Sequence, residues 1–234
     1  MYISIGRRND FSAQALNSMH ELRARVFKQK KMWDIPLING LEIDGYDALD
    51  PYYMIINRSA EQAYVCGCWR ILPTTGPNML AHTFPELLNG QPAPCSPSVW
   101  ELSRFAIEMP HGNRFGFSQG TTQAIHAIVN FAVECGVEQF VTVTTVGVEK
   151  MLIRLGLDIS RLGPALQIGV ERAVALRIEL NDRTRAALER AVRGIVGDSA
   201  PQREMSSPVH CQVGTPRGQA RRSCSDIRQW RMCN

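Results

Sequence analysis

The chain has 234 residues, of which 44% are hydrophobic and 21% charged, as is typical of a globular protein with a sizeable core. It contains no run of 18 apolar residues, so we expect no membrane-spanning helix and no membrane partner. The N-terminus lacks the basic start and apolar core of a signal peptide, which favours a cytoplasmic location.

The formal net charge of +4 is unevenly distributed along the chain. From residue 197 onward there are six arginines and only three acidic residues, so most of the excess positive charge lies at the C-terminal end. The remainder shows no helix-turn-helix, zinc finger or stacking platform, and we expect no nucleic-acid partner. The seven cysteines include no Cys-x-x-Cys pair, and we expect no metal site.

The periodic patterns of one domain cover residues 1–196. In chain order they predict strands at 3–5, 52–56, 63–72, 99–107, 139–145 and 174–180, and helices at 12–27, 118–135, 147–155 and 181–194. The alternation of strands and helices after residue 99 indicates an α/β body around a mixed sheet. Residues 197–234 are rich in Ser, Pro, Arg and Gln with little to bury, and we predict a disordered basic tail.

The strand at 99–107 carries two charges, Glu101 and Arg104, within an apolar run. Burying either charge unpaired would cost several kcal/mol, so each needs a partner, in a structural ion pair or in an active site. Residues three apart on a regular strand point to opposite faces. For both charges to reach one cleft, the strand must bulge or diverge from its neighbour, and we predict that it does.

Two other clusters have both an ordinary and a functional interpretation. The first contains Arg23, Phe27, Trp33, Asp44 and Asp47, around a segment at 28–45 that shows no clear period; long loops of this kind are usually functional or disordered. Asp-Gly-Tyr-Asp is, however, common turn chemistry. The second is the glycine-rich segment 114–120, which is either a simple turn or a backbone site for an anion such as a pantetheine-linked phosphate.

These residues also form one ordered signature. Its parts are Leu22-Arg23-x-x-Val26-Phe27, Trp33, Glu42-x-Asp44-x-Tyr46-Asp47, Arg70-Ile-Leu-Pro-Thr, Met79-Leu80-x-x-x-Phe84-Pro85 and Glu101-x-Ser103-Arg104-Phe105. From about residue 20 to 180 the chain resembles the acyl-homoserine-lactone synthases, the bacterial quorum-sensing autoinducer synthases. The resemblance implies an α/β fold, a three-layer α-β-α sandwich around a mixed sheet, like that of the GCN5-related N-acetyltransferases.

The resemblance also implies a reaction. The α-amine of S-adenosylmethionine attacks an acyl thioester, usually carried on acyl-carrier protein. The methionine carboxylate then closes onto its own γ-carbon and expels methylthioadenosine, which leaves an N-acyl-L-homoserine lactone. S-adenosylmethionine is thus a substrate, and no cofactor is expected.

Roles for individual residues follow from the same resemblance. Glu101 is the expected base for the α-ammonium group. Asp44 and Asp47 suit the cationic groups of S-adenosylmethionine, while Arg23 and Arg104 suit its carboxylate or tie the loop down through the aspartates. The aromatic residues expected to cover the adenine or the sulfonium are Phe27, Trp33 and Phe105.

The remaining expected site residues lie further along the signature and beyond it. Those implied to bind substrate are Arg70, Phe84 and Ser103, with Thr142 and Thr144 facing the acyl chain or the thioester. Lys150 and Arg154 lie four apart on one helix face and would suit an acidic carrier protein, although a solvated face explains them equally well.

Two other functions remain open at this point. A general acyl-CoA-dependent N-acyltransferase of the same fold would need an Arg/Gln-x-x-Gly-x-Gly/Ala loop, which residues 114–120 only approximate. A ligand-binding regulator without catalysis would not need the charged residues, so the intact set argues against it: Glu101, Arg104, Asp44 and Asp47.

Overall fold

A mixed β-sheet organises the part of the chain that the computed structural model describes, which is residues 1–59, 64–108 and 117–197. Its strands are β1 Tyr2–Gly6, β2 Tyr52–Asn57, β3 Val65–Pro73, β4 Val99–Ile107, β5 Gln139–Thr145, β6 Ile159–Arg161, β7 Leu166–Ile168 and β8 Glu171–Glu179. The strand order is β1-β2-β3-β4-β5-β8-β6, with β7 also paired to β8. β4 and β5 are parallel, and the other pairs are antiparallel.

Helices lie on both faces of this sheet. The α-helices are α1 Ala13–Arg23, α2 Met79–His82, α3 Gln119–Glu134, α4 Val146–Leu155 and α5 Asp182–Gly197. α1 continues as a π-helix over Ala24–Lys30, and short 3₁₀ helices cover Arg8–Asp10, Gly45–Leu49 and Pro85–Leu88. The hydroxyl group of Ser12 accepts the Ala15 N–H at 3.2 Å, so Ser12 is the N-cap of α1.

The apolar core is divided by the sheet. On one face α3, α4 and α5 pack in a cluster that includes Ile128, Leu152 and Leu188. On the other face α1 packs through Met19 and Leu22 against the opposite side of β2 and β3. Alternate residues of β2 serve the two clusters, Met54 and Ile56 the first and Tyr53 and Ile55 the second, as the period of a β-strand requires. The described residues therefore form the predicted three-layer arrangement.

The predicted elements are present with small shifts at their ends, and two strands were not predicted. β6 and β7 have three residues each, too few to show a periodic pattern. The π-helix was also not predicted, because the sequence pattern does not distinguish a widened turn from an α-helical one. Within the described ranges, no helix is long and apolar enough to cross a membrane.

The division into a domain at 1–196 and a tail at 197–234 stays a prediction. Helix α5 ends at Gly197, and residues 198–234 lie outside the described part of the chain.

Candidate active site

β4 contains the predicted irregularity. Cys68 of β3 pairs with Ala106 of β4, but Arg70 pairs with Ser103, so β4 has one residue more than β3 across this interval. Arg104, inside the interval, has a φ of 56°, the left-handed region that non-glycine residues rarely adopt. This β-bulge brings the Arg104 side chain to the same side of the sheet as Ser103, whereas a regular strand would separate them.

The two central strands also diverge. β4 and β5 pair from Val99 and Gln139 as far as Leu102 and Thr142. Beyond that point β4 continues against β3, and β5 continues against β8 to Thr145. A cleft opens between the parallel strands, as the sequence required if both charges of β4 were to serve one site.

A buried network of charges lies beside the bulge. Its members are three arginines and three carboxylates, which carry no net formal charge: Arg23, Arg70, Arg104, Glu42, Asp44 and Asp47. These residues come from α1, β3, β4 and the segment between the π-helix and β2. Pairing all six charges offsets the desolvation that each would suffer alone.

Arg23 binds the carboxylates from the end of α1. Its Nη1 and Nη2 donate to the two oxygens of Asp47 at 2.8 and 2.9 Å, and its Nε donates to Glu42. Tyr53 also donates its hydroxyl group to Asp47, at 2.9 Å. Burial raises the pKa of Asp47, but the hydrogen bond and charge of Arg23, with the charge of Arg70, outweigh burial and hold it well below its usual value.

Arg70 and Arg104 link the same segment to the sheet. Arg70 Nη1 contacts Asp44 at 2.5 Å and Asp47 at 3.1 Å. Arg104 Nη2 lies 2.7 Å from Asp44, and its Nε lies 2.9 Å from Glu42. The structure therefore brings the predicted residues of the first cluster and of β4 into one site, and the arginines tie the loop down through its carboxylates.

Glu101 is bound differently from the other acids. Its Oε1 accepts the Met79 N–H at 3.0 Å and its Oε2 accepts the Leu80 N–H at 2.6 Å, at the start of α2. The residue is only 1% exposed. Burial raises the pKa of Glu101, although these two hydrogen bonds and the charges of Arg70 and Arg104 act in the opposite direction.

The three predicted aromatic residues do not form one group. Phe27 and Trp33 stack with ring centroids 5.0 Å apart, and the Arg104 guanidinium lies 5.8 Å from the Phe27 ring. Phe105 instead stacks on Trp69 at 4.1 Å. The bulge explains the separation, because it leaves Phe105 on the α3 side of β4 while Arg104 lies on the side of the network.

A largely apolar cavity extends from the divergence of β4 and β5 towards α3 and α4. Both predicted threonines line it, as do Ser103, Arg104 and Phe105. Thr142 donates its hydroxyl group to the Leu102 carbonyl at 2.8 Å, at the last paired position of the two strands, which leaves the hydroxyl oxygen able to accept a hydrogen bond. The inner wall is formed by aliphatic side chains of the helices: Ile125, Ile128, Val129, Val148 and Leu152.

Three predicted residues lie apart from the network and the cavity. Phe84 packs in a separate apolar cluster with Leu80 and Leu87. Lys150 and Arg154 are exposed on α4. Of the glycine-rich segment 114–120, residues up to 116 lie outside the described part of the chain.

Four residues of the site were not among the site residues predicted from the sequence: Glu42, Tyr53, Trp69 and Met79. Glu42 gave a usable signal, because it lies two residues before Asp44 in a run of three carboxylates. Tyr53 and Trp69 have the pattern of ordinary strand residues, and the sequence gives no sign of their contacts with Asp47 and Phe105.

The described residues contain no group of three or more His, Cys, Asp or Glu side chains that could hold a metal ion.

The sequence that builds this site also matches a known family. The sequence model described as autoinducer synthase matches residues 8–188. The chain belongs to the autoinducer synthase family. Its enzyme class is accordingly that of the acyl-homoserine-lactone synthases, which are transferases, and the resemblance drawn from the sequence is confirmed.

Individual autoinducer synthases cover most of the chain. An acyl-homoserine-lactone synthase of Pseudomonas aeruginosa is 58% identical over 188 residues, which are 80% of this chain and 94% of that protein. The solved structure of the AHL synthase LasI is 55% identical with a TM-score of 0.74, and covers 86% of this chain and 98% of LasI. TofI, solved in a ternary complex with an inhibitor and MTA, is 32% identical with a TM-score of 0.69, and covers 81% of this chain and 97% of TofI.

The fold prediction is confirmed as well. A putative N-acetyltransferase from Lactobacillus plantarum, only 12% identical, superimposes with a TM-score of 0.53 over 77% of this chain and all of that chain. Autoinducer synthases of this type and N-acetyltransferases thus share the mixed sheet with helices on both faces.

Proposed function

We propose that the protein makes an N-acyl-L-homoserine lactone from S-adenosylmethionine and an acyl thioester, with acyl-carrier protein as the usual donor. One observation carries the proposal: β4 is shared by the charge network, through Arg104, and by the apolar cavity, through Ser103 and Phe105. A polar substrate bound at the network would therefore meet an acyl chain bound in the cavity at the divergence of β4 and β5.

S-adenosylmethionine fits the network by its charges. It brings a sulfonium, an ammonium and a carboxylate, and the network offers Asp44 and Asp47 to the cations and the arginines to the carboxylate. Trp33, half-buried and stacked on Phe27, supplies an aromatic face for the adenine or the sulfonium. TofI has been solved with MTA, the abbreviation of methylthioadenosine, which supports the same substrate here. S-adenosylmethionine is consumed as a substrate, so the reaction needs no cofactor.

Glu101 acts as the base in this proposal. It removes a proton from the α-ammonium group, directly or through water, because only the neutral amine has the lone pair that attacks the thioester carbonyl carbon. The thiol of the carrier leaves as the amide forms. The raised pKa of Glu101 makes it a stronger base than an ordinary carboxylate, and each of its oxygens keeps a lone pair besides the one that accepts a backbone N–H.

The second step closes the lactone. The substrate carboxylate attacks its own γ-carbon, the bond from this carbon to the sulfonium breaks, and the electron pair moves to sulfur to give methylthioadenosine. Arg104 and Arg70 hold the surrounding carboxylates in place and keep the site neutral overall. Thr142 and Thr144 line the cavity beside the thioester and the acyl chain.

Acyl-carrier protein is the proposed donor because α4 carries Lys150 and Arg154 on an exposed face close to the cavity wall formed by Val148 and Leu152. An acidic partner placed there would have a short path for its pantetheine arm. We place the reaction in the cytoplasm, because the sequence favours that location and an acyl-carrier-protein donor is consistent with it.

Incubation with S-adenosylmethionine and a panel of acyl-carrier-protein and acyl-CoA donors tests the proposal. Release of both methylthioadenosine and lactone is expected with at least one carrier-protein donor. Amide formation without methylthioadenosine would instead identify a general acyl-CoA-dependent N-acyltransferase. The donor assignment is wrong if only acyl-CoA thioesters react.

A further inference from the structure

Two guanidinium groups of the network share an acceptor that is not an oxygen. Arg70 Nη2 lies 3.2 Å from the Met79 sulfur, and Arg104 Nη1 lies 3.4 Å from the same atom. A thioether is a weak hydrogen-bond acceptor, and Met79 is only 6% exposed, so bulk water does not compete for these contacts.

The other nitrogens of both guanidinium groups bind oxygen atoms. Nε and one Nη of Arg70 and of Arg104 have partners among these residues: Ser103, Glu42, Asp44 and Asp47. Among the described residues, the Met79 sulfur is therefore the only acceptor that the network supplies to Arg70 Nη2 and Arg104 Nη1. The sulfur thus accepts from both guanidinium groups while the carboxylates and Ser103 bind their other nitrogens.

The backbone of the same residue binds the proposed base. The Met79 N–H donates to Glu101 Oε1 at 3.0 Å. Met79 thus contacts the carboxylate of Glu101 through its amide and the guanidinium groups of Arg70 and Arg104 through its sulfur. Its three-bond side chain spans the distance between them.

From these contacts we infer that Met79 is a positioning residue. It fixes the distance between the base and the two cations, so that Glu101 and the network act on one substrate. The inference rests on the proposed function, because it assigns Met79 to the reaction proposed above. Small displacements of such groups are costly, since transition-state contacts depend on their alignment.

A pair of substitutions separates the acceptor from the volume of the side chain. Met79→Leu keeps the backbone N–H and an apolar side chain but removes the acceptor, and we expect kcat/KM for methylthioadenosine release to fall about tenfold. Met79→Gln places an amide oxygen near the position of the sulfur, and we expect it to retain more activity than the leucine variant. If Met79 only filled space, the order of the two variants would be reversed.

A matched control is Met54→Leu, because Met54 is fully buried in the apolar cluster that contains Ile128 and Leu152 and lies outside the network. We expect this variant to keep wild-type kinetics. Thermal unfolding of all three variants identifies any that fail to fold, and the leucine variant alone still tests the inference if the glutamine variant does not fold.

The pH profile gives a readout that loss of packing would not move. Arg70 and Arg104 lower the pKa of Glu101, so guanidinium groups released from Met79 would shift the acidic limb of the kcat/KM profile in Met79→Leu. Full activity and an unchanged limb in this variant would overturn the inference alone. A wild-type protein that releases no methylthioadenosine would overturn the proposed function and the inference together.

Discussion

Arg104 reaches Asp44 at 2.7 Å from a backbone conformation with a φ of 56°. The left-handed conformation is unfavourable for a residue with a Cβ atom, by about 1–2 kcal/mol. The bulge that contains it is what brings Arg104 to the same side of the sheet as Ser103. The local strain is therefore offset by an ion pair that a regular strand could not form.

Substitutions at position 104 measure this strain. Arg104→Gly and Arg104→Ala both lose the ion pairs, but glycine adopts a positive φ freely, so we expect the glycine variant to be more stable by about 1 kcal/mol. Urea denaturation gives both free energies of unfolding. The exposed Ser4 of β1 provides the control, because there alanine is expected to be as stable as glycine or more so. If Arg104→Ala were more stable than Arg104→Gly, the backbone at this position would not be strained.

Removal of the proposed base is the most direct test of the chemistry. Glu101→Gln keeps the size of the side chain but cannot take up the ammonium proton, and we expect kcat to fall by about 10²–10⁴. Methylthioadenosine release measures the rate. Glu86→Gln, an exposed change of the same kind, should leave it unaltered. A near-normal rate for the Glu101 variant would assign proton removal to another group or to water.

The raised pKa of Glu101 predicts a pH dependence with a definite sign. A base must be deprotonated to work, so kcat/KM falls as the pH drops through the pKa of Glu101. Because burial raises that pKa above its ordinary value, we expect the acidic limb at a higher pH than an ordinary glutamate would give. Profiles measured at saturating acyl donor test this. A profile that stays flat down to pH 4.5 would show that Glu101 is not the titrating base.

The wall formed by Trp69 and Phe105 predicts an effect on acyl-chain preference. Trp69→Ala removes one of two stacked rings beside the cavity, so longer acyl donors should gain in kcat/KM relative to shorter ones. Trp69→Phe keeps a stacking partner for Phe105 and should keep the wild-type order of donors. Equal donor profiles for the alanine variant and the wild type would show that this wall does not limit the chain.

Much of this site could be predicted from the sequence, because a buried strand with Glu101 and Arg104 restricts the local geometry. Both charges need partners, and one cleft can serve both only if the strand is irregular, which the structure confirms. The separation of Phe105 from Phe27 could not be predicted, since it depends on which residue occupies the bulge.

The pairing within the network was also beyond the sequence. Three arginines and three carboxylates allow many combinations, and the choice depends on how α1, β3 and β4 are placed relative to the loop. Met79 shows the same limit more strongly. A methionine in a segment of mixed polarity gives no signal that its sulfur meets two guanidinium groups, because both partners lie on strands distant from it in the chain.

The exposed face of α4 predicts how the acyl donor is recognised. Reversing the charge at Lys150 and Arg154 together should raise KM for acyl-carrier-protein donors about tenfold or more, and by clearly more than KM for acyl-CoA donors, because the carrier protein presents a broader acidic surface than the phosphates of CoA. Raising the salt concentration should raise the KM of the wild type for acyl-carrier-protein donors towards that of the variant, since exposed charges are screened. Arg190→Glu, a single charge reversal on the exposed side of α5, serves as the control, compared with each single reversal at Lys150 and Arg154. If KM for both donor classes rose equally, these two residues would be acting on the fold of α4 and the adjacent cavity, and the carrier protein would dock elsewhere.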